Sequence, residues 1–65
     1  MDKEELERYG NLNVGDRVKG PYGEGCIISI VRDPFPDDGF HEITVFVKYD
    51  GGMTSAEYLE DINKV

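Results

Sequence analysis

The sequence predicts a mainly-β fold, a small five-stranded barrel with a short N-terminal helix and a one-turn helix before the last strand. Three observations predict it. The chain has 65 residues, about what one compact unit with a single core needs. From Leu12 onward, runs rich in β-branched and aromatic residues are separated by Gly, Pro and Asp, the punctuation of short strands. The clearest run, residues 42–49, places Ile43, Val45, Val47 and Tyr49 on one face at the two-residue period of a half-buried strand.

The elements follow in order. Residues 1–10 form a helical segment: Asp2, Glu4 and Glu5 lie at its start and Arg8 near its end, which suits the helix dipole, and Gly10 stops it. So short a helix is marginal in water, so Leu6 and Tyr9 have to dock on the body. Residues 11–65 make the barrel. Val14-Gly15-Asp16-Arg17-Val18-Lys19 is a turn entering the first strand, Val18 inward and Arg17 and Lys19 outward. Gly20-Pro21-Tyr22-Gly23-Glu24-Gly25 is a tightly curled loop.

Residues 26–32 are the strongest strand candidate because they are β-branched almost throughout. Alternation fails at Ile27-Ile28, so the strand is either buried on both faces or bulged. Pro34 and Pro36 then keep Asp33–Gly39 out of any ladder, giving an extended loop. Asp50-Gly51-Gly52 closes a hairpin, Met53–Glu57 returns as a weaker strand, and Tyr58–Ile62 is a single helical turn that plugs Leu59 and Ile62 into the core. Asn63-Lys64-Val65 is a stub of last strand, short and exposed enough to pair between chains.

Taken together, Val14-Gly15-Asp16-Arg17-Val18-Lys19, Tyr22–Ile30, Val45–Gly52 and Tyr58–Ile62 resemble bacterial Tudor-like domains. The pattern is similar to the C-terminal module of UvrD/PcrA-type helicases and to the RNA-polymerase-interacting domain of CarD-like regulators. That resemblance covers about residues 12–65 and implies an SH3/Tudor-like barrel that contacts protein, often RNA polymerase. Its motifs are fold-keeping glycines and core positions, which identify a barrel better than a function. Tyr22, Phe46, Tyr49 and Tyr58 have no spacing that matches an aromatic cage and are read as core or rim.

Composition excludes several function classes. With 14 acidic and 7 basic residues the net charge is -7, the opposite of the footprint of a nucleic-acid or anionic-membrane binder. Direct nucleic-acid binding and membrane docking are therefore not expected, and a protein with a basic surface is the expected partner. One cysteine, Cys26, and one histidine, His41, cannot build a zinc site or an internal disulfide. The charged start Met1–Glu5 is not followed by an apolar run, so neither a secretory signal nor a membrane span is read and the cytoplasm is the expected compartment. Ser29 and Ser55 have only His41 as a possible base, and no cofactor motif occurs, so a non-enzymatic protein is expected. Gly23-Glu24-Gly25 is a turn rather than a phosphate cradle because Glu24 would repel phosphate, and Asp33, Asp37 and Asp38 lack the spacing of a calcium loop.

The expected binding surface comprises Tyr22, Glu24, Phe35, Asp37, Asp38 and Phe40. Phe35 and Phe40 flank prolines and acids in a loop that cannot pair, so they either cap an open end of the barrel or anchor a basic partner. The function expected is an acidic protein-interaction module acting on a transcription or DNA-processing machine. The alternative is a stand-alone inhibitor of the phage-encoded type, whose acids imitate nucleic acid in a basic cleft.

Overall fold

The computed structural model describes residues 10–35, 39 and 42–65. The expected N-terminal helix lies outside them. Five strands and one 3-10 turn occur among the described residues: β1 Arg17–Gly20, β2 Gly23–Arg32, β3 Ile43–Tyr49, β4 Thr54–Tyr58, the turn Leu59–Asp61, and β5 Asn63–Lys64. All pairings are antiparallel and give a single sheet in the order β4-β3-β2-β1-β5. The mainly-β expectation holds, but the sheet is open: among the described residues no ladder joins β4 to β5.

The sheet must nonetheless curl. In a flat sheet the outermost of five strands lie about 19 Å apart. Residues 59–62 alone carry the chain from β4 to β5, a link that spans no more than about 17 Å fully extended and less once its 3-10 turn forms. Curling brings the two edges within its reach.

The core lies on the inner face of this curl. Val18, Ile27, Ile43, Val45, Val47, Tyr49, Leu59 and Ile62 are each at most 3% exposed, with Leu12 and Ile30 packed against them. Each fully buried aliphatic side chain contributes about 1.5–3 kcal/mol relative to an exposed one. The alternation of β3 and the plug formed by Leu59 and Ile62 therefore lie where the sequence puts them.

The bulge is realised in β2. Ile27 pairs with Val47 and Ser29 with Phe46, leaving Ile28 as an extra residue. Ile28 and Ser29 together oppose Phe46, and Ile28 turns to solvent at 47% exposure.

Two boundaries differ from expectation. The curled loop at 20–25 is mostly strand: Gly20 pairs with Gly23, and Gly23–Gly25 belong to β2. Pro21 pre-sets the turn and Gly23 completes it at φ +107°, so the hairpin needs little more than Pro21 and Tyr22. Tyr58 ends β4 instead of opening the helical turn. The last strand pairs within its own chain, with Val18 opposite Lys64 and the Val65 N–H donating to the Arg17 carbonyl at 3.1 Å.

At Gly25 the backbone of β3 leaves no room for a side chain on β2. A Cβ there would meet the Lys48 carbonyl oxygen at 2.5 Å and the Tyr49 Cα at 2.8 Å, both backbone atoms that cannot swing aside. Gly25→Ala is therefore expected to cost about 1–3 kcal/mol through overpacking. Gly51→Ala enters open space and is expected to change stability by no more than about 0.5 kcal/mol. Urea unfolding of the two variants beside the parent measures the contrast, and equal midpoints would refute the close-approach reading of Gly25.

Candidate functional site

The residues expected to share one binding surface fall at opposite ends of β2. Tyr22 and Glu24 sit at the β1–β2 turn, and Phe35 lies beyond Arg32 at the far end. Asp37, Asp38 and Phe40 lie outside the described residues, as does His41.

At the turn, the exposed side chains are tied into the sheet. The Tyr22 ring meets the buried Tyr49 ring edge-on, with centroids 5.6 Å apart and planes at 83°, a favoured aromatic geometry. Arg17 of β1 donates two parallel hydrogen bonds to Asp50 of the β3–β4 turn, both at 2.7 Å. Its guanidinium also lies 3.4 Å from the Cys26 sulfur and 3.9 Å from Glu24. The Asp50 N–H donates to the Glu24 carbonyl at 3.0 Å. This end therefore spends its charges on joining two hairpin turns. The Asp50 carboxyl is held below its ordinary range by the hydrogen bonds from Arg17.

Beneath the turn is a buried polar pair that sequence reasoning missed. Glu57 of β4 is 6% exposed, and its Oε1 and the Tyr49 hydroxyl have no hydrogen-bond partner. Burial first, and the nearby Glu57 carboxylate second, push the Tyr49 phenol above its usual 10.0. The inward position of Glu57 was readable from alternation, since it shares parity with half-buried Ser55. No pattern announced the Arg17–Asp50 pair, whose members are 33 residues apart.

At the far end, Phe35 is 86% exposed and packs into no core. Its N–H donates to the Asp33 carboxylate at 2.9 Å, and the Asp33 N–H extends the β2–β3 ladder by donating to the Glu42 carbonyl at 2.6 Å. Loop backbone and sheet are thus continuous up to the aromatic ring. The sheet's outer face leads to the same end: Val31 of β2 is opposite Thr44 of β3, and Thr44 is opposite Tyr58 of β4.

A groove of about 160 Å³ lies between Asn11 and Leu12 on one side and Leu59, Ile62, Asn63 and Lys64 on the other. It falls short of the roughly 300 Å³ at which small-molecule sites begin. Lys64 reaches across to the Asn11 carbonyl at 3.2 Å and to the Asp16 carboxylate at 3.5 Å. Among the described residues there is no group of three or more His, Cys, Asp or Glu side chains placed to hold a metal ion, and no helix long and apolar enough to cross a membrane.

Two titrations follow. A depressed Asp50 pKa contributes stability that is present above the ordinary carboxylate range and is lost as pH falls through the folded value. Arg17→Met is expected to return the Asp50 carboxyl to ordinary titration and to flatten the acid limb of stability, both measured by NMR titration and acid unfolding. A raised Tyr49 pKa has the opposite sign: its contribution is complete below about pH 10 and is lost as pH rises through the folded value. Tyr49→Phe removes an unpartnered hydroxyl, so it is expected to be neutral or stabilising by up to about 1 kcal/mol at pH 7 and to move alkaline unfolding to higher pH. Destabilisation by more than that would show that the hydroxyl is satisfied.

Comparison with family models, with curated proteins and with solved structures returns no match to this chain.

Proposed function

We propose that this protein is a non-enzymatic interaction module whose curled sheet serves as a partly open SH3/Tudor-like barrel and presents Phe35 to a protein with a basic surface. The exposure of Phe35 carries this reading. A 65-residue chain whose core is completed by other side chains nonetheless holds one large aromatic out in water at 86% exposure. An exposed aromatic among acids has the composition of an interface anchor for a basic partner. The cap alternative loses ground because a ring covering the end of the core would be largely buried. A transcription or DNA-processing machine is the proposed partner class, since such machines carry the basic clefts that a charge of -7 would seek.

The second reading, an inhibitor that occupies a basic nucleic-acid site, is favoured by Asp33 and Glu42 side by side at the Phe35 end of the sheet, with Glu60 and Asp61 in the turn that leaves β4. The two readings differ in what displaces the protein. A mimic is competed off by added DNA or RNA and weakens steeply with salt, whereas an aromatic-anchored module does neither.

Phe35→Ala is expected to weaken retention of host proteins on the immobilised protein tenfold or more while moving the melting temperature by no more than about 2 °C. Quantitative mass spectrometry of the retained proteins, with parent and variant in parallel and with and without competing DNA, measures both effects. An unchanged retained set would remove Phe35 from the function.

A further inference from the structure

We infer that the outer face of β2, β3 and β4 is a docking surface for a partner segment that carries apolar side chains flanked by Lys or Arg. This inference deepens the proposed function, resting on the same acidic end of the sheet, and specifies where the partner lies and what it presents.

The face is apolar because of the β2 bulge. The extra residue places Ile28 outside, beside Ser29 and opposite Phe46. Two registered rows continue it: Ser29 with Phe46 and Ala56, and Val31 with Thr44 and Tyr58. None of these side chains is charged, in a chain with 32% charged residues. Ile28, Val31 and Tyr58 are 47%, 45% and 38% exposed, and the half-buried Phe46 lies between them. Scattered surface apolar residues need no explanation, but registered rows across three strands form a contiguous patch of the kind that marks an interface.

Charge selects the occupant. Asp33 and Glu42 adjoin the Val31 row, and Glu60 and Asp61 lie past Leu59 in the turn that leaves β4 after Tyr58, against one base at the Val31 end among the described residues, Arg32. At the opposite end Arg17 is already held by Asp50, leaving Lys48 beside the patch. A segment with apolar residues over Phe46 and Val31 and its cations toward Asp33 and Glu42 matches both features. A second copy of the chain would bring -7 against -7 and is disfavoured by self-repulsion.

The test selects binders from a random display library of short peptides on the immobilised full chain, then titrates the strongest one, made synthetically, into labelled protein. Enriched sequences that combine apolar and basic residues, amide shifts at Val31, Thr44, Phe46 and Ala56, and at least tenfold weaker binding by Val31→Lys support the inference. Ile28→Lys is a second variant, so that misfolding of one, read from its melting curve, leaves the other decisive. Acidic or charge-indifferent binders, or dimerisation through this face on concentration, would overturn it. Shifts confined to the loop, with Phe35→Ala impaired and Val31→Lys not, overturn the outer-face site and leave the anchor standing. Outer-face shifts with Phe35→Ala unimpaired support the face and remove the anchor instead.

Discussion

The extra residue in β2 sets the parity on which the rest of the molecule depends. Ile27 is buried and Ile30 packs against the same core, yet an odd spacing of three places them on opposite faces of a regular strand. The bulge at Ile28 restores agreement by opposing two residues of β2 to one of β3. It also bends the strand and increases its twist. A ten-residue strand that bends can pair with β1 along its first half and with β3 along nearly its whole length. The resulting curl lets residues 59–62 bridge the two edges of the sheet and lower Leu59 and Ile62 onto the core.

The same device has a cost that shapes the surface. Making the strand continuous inside requires an isoleucine outside, and Phe46 and Val31 on either side of it extend the apolar strip. β4 forms one edge of the sheet and carries the uncharged Thr54, Ala56 and Tyr58 outward. An uncharged edge strand beside an apolar face is an aggregation hazard. Glu57, turned inward on that strand, is a recognised protection: a second chain pairing there would have to accommodate a carboxylate at its core face. Its unpartnered Oε1 and the unpartnered Tyr49 hydroxyl are the local penalty.

Most of the fold was legible because it rests on local pattern. Alternation located β3 and its four buried residues, the Ile27-Ile28 anomaly marked a place of either two-sided burial or a bulge, and Leu59 with Ile62 located the plug. The hairpin ends were less legible, because whether Gly23–Gly25 belongs to loop or strand depends on a register that no single strand encodes. The candidate surface was legible residue by residue but not as a surface: Tyr22 and Phe35 share a character in sequence, and only the length of β2 shows that they cannot share a partner side chain. Arg17 and Asp50 were silent because a pair so far apart in sequence becomes neighbours only through the ladder. The outer face was silent for a related reason: its rows are cross-strand objects.

The acidic surplus connects these features. A charge of -7 on so small a body opposes association of like copies and so permits an apolar face to stay exposed without collapse between molecules. That same charge attracts anything basic. Under the proposed function, protection from self-association and selection of a partner are one electrostatic property seen from two sides. In the proposed complex, long-range attraction would be screened by salt while burial of Phe35, Val31 and Phe46 would not, so charge would govern how fast the partner arrives and the apolar face how long it stays.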